Sequence, residues 1–450
     1  MKRPPLLLVW LALAVPVRAA GADPAALEDR LRRLESVVES LREENAALRR
    51  ELRGEPAARA EPVVLPAPPP PTVRLTGDLR FRFASTMYRA AGVATRDQLY
   101  EQVRVGFVAA PGGGFEGGLR IAGGEYAPNF GGAPGSAQFS AGDNGTKKIA
   151  FLDQAFVRWR SAPGRDVTGA LTLGKGENLF FVPSRMLFDS DYTPEGFTQE
   201  LAWQAAPRHR LWFAGGQYLL DELTGATRDP WLIAGRARWE AQWADGWQTT
   251  LGAGRLVITH AEHLTAANVA NNFRGNTRTP AGVPAHGFRP FYAEASVTRL
   301  LDRGPGYAGK FPITLHADLL HNPAAPAQRD ARSLGLTLGR AGTAGQWEIG
   351  YRYLRIEADA WFEETLDADY GGYYRTVPPG WNTDPASPGG GHGGGTNTRS
   401  DVVRTSWSPR DYLLFSANLF LNDLIKKFPA GASSADTAAK RFQLEGTVRF

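Results

Sequence analysis

From Thr72 to the last residue, apolar and polar side chains alternate with a period of two. In the first segment Val73, Leu75, Gly77, Leu79, Phe81 and Phe83 take one side, and Arg74, Thr76, Asp78, Arg80 and Arg82 the other. Trp231, Ile233, Gly235, Ala237, Trp239, Ala241 and Trp243 repeat the pattern, as do Leu413, Phe415, Ala417, Leu419 and Leu421. The final stretch sets Phe442, Leu444, Gly446, Val448 and Phe450 against Arg441, Gln443, Glu445, Thr447 and Arg449. Successive side chains of a strand point to opposite faces, so each segment predicts a strand with one apolar and one polar face. Sixteen such segments begin near Thr72, Gln98, Phe115, Ile149, Val167, Thr198, His209, Trp231, Trp247, Arg289, Phe311, Arg332, Gln346, Asp401, Asp411 and Lys440.

The connections say how the strands are joined. Ala110–Gly114, Ser161–Asp166, Ala244–Gly246, Gly342–Gly345 and Pro409–Arg410 are short and rich in Gly, Pro and Asp, the composition of tight turns. Between them lie longer stretches, Glu125 to Lys148, Gly176 to Phe197, Thr259 to Phe288 and Glu357 to Ser400. Strict alternation of short and long predicts an all-β fold: a transmembrane, antiparallel, up-and-down β-barrel over 72–450, with turns in the periplasm and loops outside. An even strand count keeps both ends of the barrel on the periplasmic side. A soluble sandwich has no reason to lengthen its loops on one side alone, nor to place Trp, Tyr and Phe at so many strand ends, where a membrane interface favours them.

Composition fits that reading. Lys2 and Arg3, the apolar run Leu6 to Val15 and the small residues Ala19 and Ala20 have the order of a secretory signal peptide over 1–20. No other stretch offers the ~18 uninterrupted apolar residues of a spanning helix. There is no cysteine, which excludes disulfides, thiolate metal sites, cysteine nucleophiles and a lipid-bearing amino-terminal cysteine. The formal charge of +5 falls to +2 once Lys2, Arg3 and Arg18 leave, so nucleic acid is not an expected partner.

Before the barrel the period is seven. Leu27, Leu34, Leu41 and Leu48 fall at d, and Leu31, Val38, Asn45 and Leu52 at a, which predicts a short α-helical coiled coil over 24–54. Arg30 with Glu35, and Glu44 with Arg49, have the g-to-e spacing that joins neighbouring helices in a parallel assembly. A homo-oligomer follows; Asn45 by itself leans toward a dimer. Residues 55–71, with Pro62, Pro66 and Pro68 to Pro71, read as a semi-rigid linker.

Two features resemble known proteins. The alternating end at Phe442, Leu444, Gly446, Val448 and the aromatic Phe450 is similar to the insertion signal of bacterial outer-membrane barrels, which implies the barrel-assembly machinery as a partner. Gly174-Lys175, followed by the acidic stretch Phe188-Asp189-Ser190-Asp191-Tyr192-Thr193 closing in Pro194-Glu195-Gly196, resembles the bacterial outer-membrane "putative porin" family. That resemblance implies a sixteen-stranded porin whose third loop folds inward, with Asp189, Asp191 and Glu195 near the constriction, and it implies a homotrimer. If the apolar set faces outer-membrane lipid, the opposite parity faces water and carries Arg74, Arg80, Arg82, Arg104, Arg120, Arg158, Arg160, Arg236, Arg238 and Arg352 as a pore wall. Such a ladder opposite an acidic loop sets a field across the pore, or else these residues pair among themselves and merely solvate the interior.

The expectation is therefore a passive channel for small hydrophilic solutes and ions in the bacterial outer membrane, with its coiled coil in the periplasm, and neither an enzyme nor a carrier of any cofactor. Two other classes stay open: a barrel enzyme of lipase or protease type, and a tether whose coiled coil links the outer membrane to the cell wall. His260 and His263 are spaced by three rather than four, so no metal site is expected there. Gly389–Gly395 lacks the Lys-Ser/Thr of a phosphate cradle and reads as loop.

Overall fold

In the computed structural model the described residues are 36, 39, 72–89, 94–124, 126–127, 131–132, 137–162, 164, 166–225, 227–270, 274–373, 391–392, 394–426 and 437–450. The signal segment, the linker and the coiled-coil positions Leu27, Leu31, Leu34, Val38, Leu41, Asn45, Leu48 and Leu52 lie outside them. The chain divides into two units, Met1–Ala67 and Pro68–Phe450. Of the first, Ser36 and Glu39 are described, and both are helical and exposed.

The second unit has sixteen long strands among the described residues. They are β1 (Thr72–Tyr88), β2 (Arg96–Gly112), β3 (Phe115–Gly123), β4 (Ala150–Arg160), β5 (Val167–Lys175), β6 (Glu195–Ala206), β7 (His209–Leu219) and β8 (Trp231–Gln242), then β9 (Trp247–Thr259), β10 (Phe291–Leu301), β11 (Phe311–His321), β12 (Asp330–Gly339), β13 (Gln346–Ile356), β14 (Thr398–Arg410), β15 (Leu413–Leu424) and β16 (Ala439–Arg449). Each pairs antiparallel with the next, and β1 pairs with β16 from Asp78↔Arg449 to Tyr88↔Ala439, which closes the cylinder. Closure leaves no edge strand, the condition for a sheet to stand in hydrocarbon.

Side-chain parity sorts the wall as the alternation requires. Val73, Phe81 and Leu173 are 75%, 64% and 65% exposed, and Leu99, Phe107, Leu152, Val157, Leu319 and Leu334 share their outward parity. A water-soluble protein does not leave an apolar belt of this extent uncovered. Aromatic side chains crowd the turn end: Trp239 stacks on His209 at 5.8 Å, Trp243 meets it edge-on at 5.4 Å, and Tyr307, Phe311 and Trp347 form a second cluster. That is where a lipid–water boundary favours amphipathic rings.

At the seam, Gly77 exchanges both backbone hydrogen bonds with Phe450, at 2.9 and 3.1 Å. A Cβ at Gly77 would lie 2.5 Å from the Phe450 ring, so the terminal aromatic occupies the outward space that glycine leaves vacant. Across the first turn, Gly114 has φ +84 and a Cβ there would stand 2.2 Å from the Arg160 carbonyl, so no other residue fits.

Seven turns, at 113–114, 161–166, 207–208, 243–246, 302–310, 340–345 and 411–412, alternate with eight loops. These are L1 (89–95), L2 (124–149), L3 (176–194), L4 (220–230), L5 (260–290), L6 (322–329), L7 (357–397) and L8 (425–438). The alternation of length is not strict: the turn 302–310 is longer than L1 or L6. Its length is taken up by the Tyr307 cluster, where Tyr307 donates to the Arg340 carbonyl and Trp347 to that of Pro305, each at 3.0 Å.

Candidate pore constriction and its anchors

L3 leaves β5 at Gly174 (φ +111), and its base is drawn shut where Gly176 N donates to the Pro194 carbonyl at 3.0 Å and Lys175 Nζ to that of Thr193 at 2.8 Å. The loop then carries a run that a solvated loop would not: Phe180, Val182, Met186, Leu187 and Phe188 are all buried. They pack on Trp212, Tyr218, Leu232 and Leu256, the inward parity of β7, β8 and β9, and on Trp361, Phe362, Leu366 and Tyr370 of L7. Phe188 meets the edge of Trp361 at 5.9 Å and stacks on Tyr192 at 5.4 Å. This apolar core inside the barrel was not expected from alternation alone.

Polar ties hold the core in place. Arg236 Nη1 donates to the carbonyls of Leu179 and Phe181 at 2.8 and 3.1 Å, while its Nε and Nη2 grip Glu294 at 2.9 and 2.5 Å. Arg352 donates to the Pro183 carbonyl and to His316. Arg185 pairs with Asp367 of L7 at 2.5 Å, and Thr365 Oγ1 donates to the Leu187 carbonyl at 3.1 Å. L7 is itself moored: Asp369 receives Gln443 at 2.8 Å and lies 3.3 Å from Arg441 and 3.9 Å from Arg82. In L5, Arg278 pairs with Glu363 at 2.7 Å, and Asn276 donates to the carbonyls of Ala358 and Trp361.

The other side of L3 faces open space. A cavity of about 600 Å³ separates Asp189, Ser190, Tyr192 and Thr193 from the inward face of β1–β4, where Arg74, Arg104, Arg120, Arg158 and Arg160 stand. Arg104 spans the gap, with Nε 2.8 Å from Asp78 on the wall and Nη1 3.1 Å from Asp191 on the loop. Arg120 pairs with Asp153, which the register shift between Arg120 and Ile121 leaves as an extra residue of β4. Glu116 serves both Arg158 and Arg160, at 3.4 and 3.2 Å.

The remaining sequence-predicted wall residues lie elsewhere. Arg80 donates to Gln138 of L2, Arg82 pairs with Glu445 at 2.7 Å beneath L7, and Arg238 pairs with Glu240 over the Trp212 ring. Arg236 and Arg352 anchor L3 from behind. Glu195 is the first residue of β6, opposite Lys175 and on the outward parity of Phe197 and Leu201, so it sits at the rim and not with Asp189 and Asp191. Asp78, Glu116, Asp153 and Glu294, which sequence reasoning passed over, supply the counter-charges. Their signal was available, since Asp78, Glu116 and Glu294 share the arginines' parity. Among the described residues no cluster of three His, Asp or Glu could hold a metal ion.

Electrostatics divide the loop carboxyls. Burial, with Asp367 and Asp191 close by, pushes Asp189 well above the usual carboxylate range. Burial would raise Asp369 too, but Arg441, Arg82 and Arg185 overcome it and hold that carboxyl down at about 2.

Residues 90–253 match the family described as "Putative porin". That stretch is similar to the family's sequences, and the match covers less than half of the chain. It runs from L1 to β9 and contains L3 with most of the arginine wall. Among solved structures, the high-pH form of Pseudomonas putida OprB aligns with a TM-score of 0.50 at 12% identity, covering 84% of this chain and 94% of that one. The low-pH form of the same protein (TM-score 0.43, 10% identity, 83% and 92% covered) and in-vitro folded OmpT of Vibrio cholerae in its trimer form (0.42, 11%, 85% and 100%) are more distant. At these identities the likeness speaks to fold alone, and the first alignment carries it: the chain shares the barrel fold of that structure. No curated protein sequence matches the chain.

Proposed function

We propose that the chain forms a water-filled channel in the bacterial outer membrane through which small hydrophilic solutes and ions diffuse passively, narrowed where L3 approaches β1–β4. The observation that carries this is Arg104 bridging Asp78 and Asp191 beside a cavity lined by four more arginines. Cations on one wall and the Asp191 carboxylate on the loop opposite set a field across the passage. Such a field orders water and favours small polar solutes over apolar ones. Asp191 acts at the constriction; Asp189, buried beside it, holds the loop's shape by accepting from Asp191 N at 2.8 Å. Sixteen strands favour a channel over a barrel enzyme, since narrower barrels fill their interiors with side chains. In this reading the coiled coil joins three copies on the periplasmic side, and Phe442 to Phe450 deliver the barrel to its assembly machinery.

Reversal potentials of the purified protein in a planar bilayer under a potassium chloride gradient test the constriction. Replacing Arg74, Arg120 and Arg160 together with glutamine leaves Asp78, Glu116, Asp153 and Asp191 in excess, so preference moves toward cations. An unchanged reversal potential removes these residues from the passage.

A further inference from the structure

The outer face carries a charge pattern that passage does not use. Register sets Arg332 of β12 opposite Arg355 of β13, and Arg355 opposite Arg399 of β14. All three share the parity of Leu334, Leu336, Ile349, Tyr351 and Val403, which are exposed on the outside of the wall. Three guanidiniums thus leave the barrel outward in one row, on strands spaced about 4.8 Å apart. Like charges directly opposite one another destabilise a sheet. Glu357 relieves Arg355 at 3.2 Å and Asp423 relieves Arg399 at 2.8 Å, but the Arg332 side chain has no partner among the described residues. Three strands along, Arg255 of β9 lies 4.8 Å over the Phe291 ring, also without an ion-pair partner among the described residues.

Between these two cations lie apolar side chains and one ion pair. Phe291 and Leu319, 50% and 60% exposed, floor an open depression of about 640 Å³, with His321 and Asp330 paired to each other at its upper edge. The row stands at the loop end of the strands, and Leu315, Leu334, Leu336 and Ile349 continue below it toward the turns. A cationic rim over an apolar track matches one kind of molecule, an anionic headgroup attached to acyl chains.

We infer that this face binds a phosphate-bearing, acylated lipid of the outer leaflet. Its phosphate oxygens accept from the Arg332 and Arg355 guanidiniums, whose planar forks suit that geometry, and its chains descend over Phe291, Leu319 and Leu334. The bound anion turns the repulsion along the row into attraction. The inference rests on the orientation proposed above, with the loops outside.

Native mass spectrometry of the purified, folded barrel titrated with didecanoyl phosphatidic acid tests it, with didecanoylglycerol and inorganic phosphate as comparisons and with Arg332→Gln and Arg332→Gln/Arg255→Gln variants. Phosphatidic acid should bind the wild type, and losing a charge-assisted contact should weaken it roughly tenfold in the single variant and further in the double. Liposome swelling of the variants should match the wild type, which separates this site from the channel: absent swelling with lipid binding as expected would sink the channel reading alone. Equal binding by the variants, or equal binding of the phosphate-free lipid, overturns the inference. Displacement by inorganic phosphate at equal concentration would make it a free-anion site, and a second protein copy covering the face would make it an interface; either overturns it as well.

Discussion

Replacing Arg236 with methionine would test whether L3 is held by the ties described. The Arg236 side chain is 4% exposed and Glu294 10% exposed, so the pair is dry enough for its loss to be felt. The substitution removes both contacts to Glu294 and orphans the carbonyls of Leu179 and Phe181. Breaking a buried ion pair by deleting one partner costs about 3–5 kcal/mol, most of it from the carboxylate left behind. Methionine restores some apolar packing against Trp212, which brings the expected loss to about 3 kcal/mol. A change of that size moves the balance between docked and undocked L3 by roughly 150-fold. The barrel wall, held by its own ladder, should still close. Single-channel recordings should therefore show larger and noisier currents, while the heat-modifiable mobility of the folded barrel on gels persists. The double variant Arg236→Met/Glu294→Leu removes the orphaned carboxylate and should recover most of the quiet state. Wild-type currents in the single variant, or no recovery in the double, would refute the reasoning.

Other perturbations follow from the same contacts. Asp369, held at about 2 in the fold against about 3.9 when unfolded, stabilises L7 docking fully above about pH 4 and loses that contribution as pH falls toward 2. Acidification through that window should raise conductance, and a flat response would count against the mooring. Asp189 has the opposite sign: its raised value means that ionisation costs stability as pH rises above about 3.9, so Asp189→Asn should leave thermal stability equal or higher. A lower unfolding temperature would contradict that direction. Gly77→Leu forces a side chain into the Phe450 ring and should impair closure, read as loss of the heat-modifiable folded band; full folding would show that the terminal ring is free to move.

The wall was legible in the sequence because lipid enforces period two on every strand. Segments beginning at Thr72, Phe115, Val167, His209, Trp231, Trp247, Phe311 and Gln346 coincide with strand starts; Gln98, Thr198, Arg332, Asp401 and Lys440 fall short because pairing continues into loop sequence such as Glu195–Gly196 or Thr398–Ser400, and Ile149, Arg289 and Asp411 begin one or two residues before pairing does. Parity also put the wall arginines on one face. It could not tell which of them meet the open cavity and which meet L3 or L7, because that depends on how loops fill the cylinder. Arg104 and Arg236 have the same parity and opposite roles for that reason. The inner core was hidden more deeply: Phe180, Phe188, Trp361 and Phe362 follow no period, and their only signal was apolar residues in loops that water should have kept polar. The bulge that turns Asp153 toward Arg120 left no trace in the alternation.

The central claim is that lipid bathes one parity of the wall and water the other. Liposome swelling with the purified barrel, using sugars of graded size, tests it most directly. The account predicts rapid swelling with the smallest sugars and a steep decline as size approaches that of the L3 opening. Correctly folded, membrane-inserted protein that admits no sugar of any size would contradict it.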